Sequence, residues 1–396
     1  MRAAWAAVRT TTMECRMMLR GMRGAVGDDS WARRGGAVRG FSLVELLVVV
    51  SIVVLVIAIV LPALGNARQA ARMAETQTLL TDLSNAFSQF SIDNRRNPGV
   101  FSERLMGSDD NADPNGGLTA LQNAMLELAG GIVDQSDANT IEVYPGAGGG
   151  NAVVIVNPDL IGARASGSGA SSYFAPRERY YNTGDAGHHH GLQGNAVYRE
   201  RLPTVVDAWG NPVLLWSRDP SATGRIVLPG SGSPGSGEVA FARENSDERA
   251  LFYLNSNWGV LSSESFGSER ASLRTNPPVS ANASPTGSMI GTGPVYSPVQ
   301  RATVLTALLG SPTFPGNLSS ENPSEIFPTA ARGDYVLMSA GRDGVFLNFQ
   351  DRRGRGFGGG PNGLPRYGDM FAGVESGGDT NDIASAFDDM VVSGGN

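Results

Sequence analysis

The chain has 396 residues, of which 41% are hydrophobic and 17% charged, and a net charge of −7, so it is long enough for one large or two modest domains. Its 52 glycines and 22 prolines follow no triplet period, which excludes a collagen-like chain and places the Gly/Ser-rich stretches in loops. The single cysteine, Cys15, excludes a disulfide framework and a cysteine-based metal site.

The first 40 residues form a basic segment. They contain eight arginines and only three acidic residues, so the remainder of the chain carries about −12. Arg33, Arg34 and Arg39 stand just before a long apolar run. The charge asymmetry predicts a cytoplasmic N-terminus and an extracytoplasmic C-terminal part.

The apolar run covers residues 41–61 and reads FSLVELLVVVSIVVLVIAIVL. A helix of this length, at about 1.5 Å per residue, crosses a hydrocarbon core of about 30 Å. A cleaved secretory signal and a plain signal anchor are the ordinary alternatives. The run is longer than a secretory signal core, and neither alternative explains the carboxylate of Glu45, because charge inside a membrane is costly and calls for a partner.

The residues around this carboxylate carry a family resemblance. The string RGFSLVELL at 39–47 resembles the processing site of type IV prepilins and type II secretion pseudopilins, with Gly40 before the cut, Phe41 as the new N-terminus and Glu45 as the fifth mature residue. Pro62 matches the helix-kinking proline that this family commonly has at the twenty-second mature position. The resemblance implies cleavage between Gly40 and Phe41 by a prepilin peptidase, with methylation of Phe41.

The same resemblance implies a function and partners. Subunits stored in the bacterial inner membrane would assemble through their N-terminal helices into a pilus or pseudopilus, with a platform protein and an assembly ATPase. In such a filament Glu45 of one subunit would neutralise the buried α-amino group of another, because the attraction between charges grows as the dielectric constant falls. We therefore expect Glu45 and Pro62 to be the assembly residues.

Residues 62–97 continue the helical pattern beyond the membrane segment. Met73, Leu80, Leu83, Phe87 and Phe90 recur at helical spacing and predict a core-facing stripe, until Asn-Pro-Gly at 97–99 ends the helix. Residues 117–130 predict a short helix. We thus expect an α+β fold in which a helix from about 42 to 95 packs on a small antiparallel sheet.

The remainder, 98–396, is expected to be an extracytoplasmic globular domain with two long loop insertions. The first, about 131–200, is Gly/Ser-rich with one strand near 152–156; the second covers about 217–330. Sheet strands are predicted near 205–216, 250–260 and 334–349. The turn DAWGNP at 207–212 resembles the strand entry of major pseudopilins, with Ala208 replacing a proline.

A calcium site is suggested near the C-terminus. In the same family a strand similar to DYVLMSAGRDG (334–344) leads into a calcium loop that ends in an acidic cluster, which DTNDI at 379–383 resembles. Calcium takes six to eight oxygen ligands, and the Ala340 carbonyl with Asp343, Asp379 and Asp382 would supply some of them. A solvated turn is the alternative, because this loop is longer than that of the family.

Other chemistry has little support in the sequence. The three histidines, His188, His189 and His190, lie together in a Gly-rich stretch, and we find no catalytic Ser/His/Asp order, P-loop or Rossmann fingerprint. We expect neither an enzyme nor a nucleic-acid-binding protein. The predicted function is a filament subunit; its size leaves open a minor or tip adhesive pilin, and a single-pass envelope protein displaying a binding domain is the alternative.

Overall fold

The computed structural model describes residues 41–112, 118–134, 140–145, 152–161, 172–175, 177–182, 202, 204–227, 234–261, 288–290, 298–312, 328–348, 384 and 387–395. Its α-helices are α1 (Leu43–Asn94), α2 (Glu103–Met106), α3 (Asp109–Ala112), α4 (Ala120–Leu128), α5 (Trp258–Leu261) and α6 (Pro298–Leu309). Its strands are β1 (Ile141–Val143), β2 (Val154–Val156), β3 (Tyr181–Asn182), β4 (Thr204–Val205), β5 (Leu214–Ser217), β6 (Arg225–Val227), β7 (Glu238–Arg243), β8 (Ala250–Tyr253), β9 (Tyr335–Ser339) and β10 (Met390–Gly394). Long helix and small sheets together confirm the α+β class.

Helix α1 has 52 residues and continues through Pro62, which confirms the predicted helix from about 42 to 95. The chain divides into two units between Leu61 and Pro62. In the first unit, α1 is exposed along its whole length. In the second unit, α1 has a buried stripe in which Leu80, Leu83, Phe87 and Phe90 are at most 4% exposed.

Met73 was wrongly predicted to belong to this stripe, because its side chain is 52% exposed. The first buried side chain of α1 is Thr76, so Met73 lies one turn before the helix reaches the core of the second unit. The short helix predicted at 117–130 is confirmed as α4. A capping box opens α4, since Gln122 N donates to Thr119 Oγ1 and Thr119 N donates to Gln122 Oε1, both at 3.1 Å.

An antiparallel sheet of three strands, in the order β10-β9-β5, joins distant parts of the sequence. Leu215 lies opposite Leu337, and Trp216 lies opposite Val336. Every residue of the central strand β9 is buried, whereas the edge strand β10 is half-buried, so the sheet is covered on both faces at its centre. A strand covered on both faces reads as a continuous apolar run, not as an alternating one.

Two hydrophobic clusters meet the two faces of this sheet. One cluster, which we call core A, contains Leu215, Tyr335 and Leu337 together with buried residues of α1 and α4. The other, core B, contains Trp216, Val336 and Met338 with residues of β7, β8 and α6. Because successive side chains of a strand point to opposite faces, adjacent residues of β5 and β9 belong to different cores.

The strand near 250–260 was wrongly assigned to the antiparallel sheet. It is β8, which pairs with β7 in a separate, parallel sheet of order β6-β7-β8. Only residues 244–249 connect β7 to β8, whereas parallel neighbours usually need a crossover of a dozen residues or more. From sequence, a connection this short favours an antiparallel hairpin. The observed parallel direction of β7 and β8 is the opposite.

The second insertion, 217–330, is not merely a loop as expected. It supplies β6, β7, β8, α5 and α6, and most of core B. In the first insertion the strand predicted near 152–156 is confirmed as β2, which pairs with β1 in an antiparallel ladder. The predicted strands near 205–216 and 334–349 are shorter than expected, because the turn at 207–212 separates β4 from β5 and β9 ends at Ser339.

Candidate functional site

The exposed half of α1 is the most unusual surface of the described residues. All residues from 41 to 61 are exposed, with side-chain exposures of 69% at Phe41, 78% at Leu43 and 63% at Leu61. Within the part of the chain that the structure describes, α1 is the one helix long and apolar enough to cross a membrane, by length and composition. None of the described residues packs against this apolar surface.

The predicted processing and assembly residues lie along this segment. Gly40 is outside the described residues, Phe41 precedes α1, and Glu45 stands in the first helical turn. A carboxylate in the first turn interacts favourably with the partial positive charge of a helix N-terminus. Pro62 lies inside α1, where it cannot donate the hydrogen bond that its position would otherwise supply.

The turn at 207–212 is held by a buried carboxylate. Asp207, 2% exposed, accepts hydrogen bonds from Trp209 N at 2.9 Å, Asn211 N at 2.8 Å and Ser339 Oγ at 2.7 Å. The Asn211 amide donates to Asp207 Oδ2 at 3.2 Å and to the Gly341 carbonyl at 3.0 Å. Burial raises the pKa of Asp207 above its ordinary value, although these hydrogen bonds oppose the shift. The turn therefore ties β5 to the end of β9.

The turn after β9 contains two of the predicted calcium ligands. The carbonyl-bearing residue Ala340 is buried, and Asp343 Oδ1 accepts from Val345 N at 2.7 Å while its Oδ2 accepts from the Asn348 amide at 2.5 Å. Asp379 and Asp382 lie outside the described residues. Among those that are described, no group of three or more His, Cys, Asp or Glu side chains is arranged to hold a metal. The calcium site stays a prediction.

Sequence reasoning missed two adjacent acidic residues that contact this turn. Asp388 Oδ2 accepts from the backbone N–H groups of Arg342 and Asp343, both at 3.1 Å, and Asp389 Oδ2 accepts from Leu347 N at 2.9 Å. These carboxylates immediately precede β10 and fasten the loop to it. The available sequence signal was the position of these two acidic residues immediately before the residues that form β10. The histidines 188–190 are outside the described residues.

A polar cleft of about 820 Å³ lies beyond the C-terminal end of α1, and no sequence pattern indicated it. Its lining is made of arginine, carboxylate, hydroxyl and amide side chains with few apolar ones, namely Ser91, Arg95, Arg96, Asn97, Gly99, Val100, Phe101, Ser102, Glu103, Arg218, Pro220 and Asp334. Three separate segments of the chain contribute to it, residues 91–103, 218–220 and 334. We call this surface the arginine cleft.

Most charges of the arginine cleft are paired. Arg96 forms a two-pronged ion pair with Glu127, one arm of which is 2.7 Å long, and its guanidinium lies 5.1 Å from the centre of the Phe90 ring. Arg218 Nη1 lies 3.3 Å from Asp334 Oδ1. The hydrogen bond to Glu127 raises the pKa of Arg96. These pairs fix the walls of the cleft.

Glu103 is the half-buried carboxylate of the cleft. Its Oε1 accepts a hydrogen bond from Ser217 Oγ at 3.0 Å. Burial raises the pKa of Glu103 above its ordinary value, against the opposing effect of the hydrogen bonds that it accepts. Glu103 also borders a second, much smaller cavity that reaches Asn123, Tyr253 and Ser256.

Comparison with known proteins adds no assignment: no family model, curated protein or solved structure matches the chain.

Proposed function

We propose that the chain is a membrane-anchored filament subunit of the type IV pilin and pseudopilin class, cut between Gly40 and Phe41 and assembled through α1. The exposed apolar half of α1 carries the proposal. It presents seventeen large apolar side chains, each 48–78% exposed. Removing a side chain of this kind from water is worth about 1.5–3 kcal/mol when complete, so half-exposure of all of them costs on the order of 20 kcal/mol.

That cost exceeds the net stability of a typical domain, about 5–15 kcal/mol, so this segment needs a lipid bilayer or other copies of itself around it. Both environments occur in the life of a pilin. The arginines before residue 41 support a cytoplasmic N-terminus in the bacterial inner membrane, and residues 98–396 would then be extracytoplasmic. A prepilin peptidase, a platform protein and an assembly ATPase are the partners that this function requires.

Glu45 supports assembly more specifically than anchoring. No hydrogen bond or ion pair from the described residues reaches its carboxylate, and it is exposed on an otherwise apolar surface. In an apolar filament interior a carboxylate is favourable only when it is paired with a cation. Cleavage after Gly40 would create such a cation, the α-amino group of Phe41, on every subunit.

Contacts in the second unit support a pilin-like head, in which the outer half of α1 packs on the antiparallel sheet. The Phe87 and Tyr335 rings are 4.7 Å apart, and Tyr335 Oη donates to the Ser84 carbonyl at 2.8 Å. Core B and the arginine cleft extend beyond such a head. They favour the second candidate, an anchored or tip-located subunit that displays a binding domain.

Mass spectrometry of the mature N-terminus tests the proposal. The full chain is co-expressed with a prepilin peptidase, and we expect a subunit that begins with N-methylated Phe41. A Gly40→Glu variant should retain the leader, whereas Gly36→Glu, outside the cut, should be processed normally. An intact leader on the wild-type chain, or cleavage after residue 61, would refute prepilin processing.

Glu45→Ala then separates filament assembly from display. For a filament subunit we expect normal membrane insertion and processing of this variant but loss of sheared or pelleted filaments, with Ser51→Ala as the control in the same exposed segment. For a display protein, Glu45→Ala and wild type should be equally present on the cell surface and neither should form filaments.

A further inference from the structure

The arginine cleft has features of a ligand site that the filament function does not use. Its volume of about 820 Å³ lies within the range of small-molecule sites, about 300–1,000 Å³. All residues that line it belong to the second unit. Filament assembly through the apolar half of α1 requires none of them.

Arg95 is the unpaired cation of the cleft. Arg96 and Arg218 have carboxylate partners, whereas no ion pair or side-chain hydrogen bond within the described residues holds the Arg95 guanidinium. Its side chain is exposed and lines the cleft. A guanidinium offers two parallel N–H donors that match a carboxylate, which is the planar anion it binds best.

The backbone conformation of Arg95 is a second observation that supports a ligand-binding role for its side chain. Its φ is 56°, and its N–H donates to the Ser91 carbonyl at 2.8 Å as α1 ends. Glycine usually occupies such a left-handed helix end because a Cβ is strained there, and asparagine is the next choice because its short polar side chain can hydrogen-bond locally. The positive charge of Arg95 is favourable at a helix C-terminus, but any Lys or Arg of the last turn would provide it without a strained backbone, so the strained position is consistent with a further contact of the guanidinium.

The other lining groups define the rest of the ligand. Glu103 and Asp334 are acceptors, and Ser91, Asn97 and Ser102 both donate and accept. These groups have partners within the protein, such as Ser217 for Glu103 and Arg218 for Asp334, but each keeps further donor or acceptor capacity, which an apolar ligand would leave unsatisfied when it displaced water. A ligand that satisfies them needs many hydroxyl groups as well as one carboxylate, and a single inorganic anion would fill only a small part of the cleft.

We infer that the arginine cleft binds an acidic oligosaccharide, with a uronic acid carboxylate on Arg95 and sugar hydroxyls on Glu103, Asp334 and the neighbouring hydroxyl and amide side chains. This site does not depend on whether the chain forms filaments. It would give an extracytoplasmic subunit a means of attaching to anionic polysaccharide.

Calorimetric titration of the detergent-solubilised full chain with trigalacturonic acid tests the inference. The fully methyl-esterified trimer is the matched neutral ligand. We expect binding of the acid and at least about tenfold weaker binding of the ester, the change that loss of one charge-assisted hydrogen bond produces. Rising salt should weaken binding of the acid alone, since salt screens exposed charges.

Arg95→Asn is the decisive variant, because asparagine tolerates the left-handed backbone. We expect it to unfold at the same temperature as the wild type or higher, and to bind the acidic trimer at least about tenfold more weakly. Arg72→Asn removes the same charge from an exposed position of α1 outside the cleft and should bind as the wild type does.

Four results would overturn the inference. The first is equal binding by wild type and Arg95→Asn, and the second is equal binding of the acid and its ester. The third is no heat of binding at ligand concentrations up to about 10 mM, which corresponds to negligible affinity. A triglutamate peptide that binds more tightly than the trimer would overturn the assignment to carbohydrate.

Discussion

Replacing Asp207 tests how the turn at 207–212 holds the antiparallel sheet. Asp207→Ala removes the acceptor of two backbone N–H groups, those of Trp209 and Asn211, and of the Ser339 hydroxyl. Each buried donor left without a partner costs about 1–3 kcal/mol. Ser339 Oγ still accepts from Gly341 N, but this contact gives its O–H no acceptor. Three donors therefore lose their partner, and we expect a loss of at least about 3 kcal/mol.

Asp207→Asn is a smaller and pH-dependent change. The Asn side chain keeps one oxygen for the two backbone N–H groups, but its amide replaces the oxygen that accepts from Asn211 and from Ser339. The Ser339 hydroxyl can turn to accept from this amide, so we expect a loss of about 1–2 kcal/mol at acidic pH. Burial raises the pKa of Asp207 in the folded state. The folded protein therefore binds the proton more tightly than the unfolded chain does, and wild-type stability decreases as pH rises through about 4 towards the raised pKa. Asn lacks this loss, so the gap between wild type and Asp207→Asn should narrow with rising pH.

Urea unfolding of the full chain in mild detergent measures these differences, with Trp209 and the buried Trp216 as fluorescent reporters. Asp82→Asn, an exposed position of α1, removes the same charge and should change stability by no more than about 0.5 kcal/mol at any pH. Equal losses for Asp207→Ala and Asp207→Asn would refute the role of the backbone hydrogen bonds. A gap between wild type and Asp207→Asn that widens with pH would refute the direction of the pKa shift.

Three further predictions concern core A and the turn after β9. Phe87→Ala should lower the free energy of unfolding by about 3–5 kcal/mol because it empties a fully buried site, whereas Ile92→Ala, at an exposed position of the same helix, should stay within about 0.5 kcal/mol; similar losses would contradict the assigned stripe. Gly341→Ala should destabilise strongly in thermal unfolding, since φ is +64° and a Cβ would lie 2.3 Å from the Asp388 carbonyl oxygen; an unchanged midpoint would refute this geometry. If calcium binds with the millimolar-range affinity of extracellular modules, millimolar calcium should stabilise the wild type by about 1–2 kcal/mol, and Asp343→Asn should reduce the effect; a midpoint that chelation leaves unchanged would count against the site.

Hydrophobic periodicity correctly predicted the elements in which the burial of one face extends over many residues. Leu80, Leu83, Phe87 and Phe90 recur at helical spacing because one face of α1 is buried. The bounds of the helix were predicted from the apolar run before this stripe and from Asn-Pro-Gly at 97–99 after it. Met73 continues the same pattern where the core has already ended. Periodicity shows which face a side chain occupies, and it does not show where a neighbour is present to cover that face.

Pairing between strands was less predictable, because it depends on contacts between distant residues. The buried runs at β5 and β9 were recognised, yet the parallel direction of β7 and β8 contradicts the usual consequence of a short connection. The arginine cleft left no local signal at all. The segment that contains Arg95 and Glu103 is more than 100 residues from Arg218 and more than 200 from Asp334, and only the folded chain brings the three segments together.

The composition of the exposed half of α1 affects how the helix is oriented about its own axis. Glu45 and Ser51 are its polar side chains between Leu43 and Leu61, and Ser51 Oγ donates to its own helix at the Val48 carbonyl, 2.7 Å away. The remainder is a cylinder of similar apolar character on all sides, so rotation about the helix axis changes its burial in lipid very little. In any assembly, the rotational orientation of this segment about the helix axis is therefore set by a single carboxylate. A substitution of Glu45 should make that orientation variable while leaving membrane insertion of the helix intact.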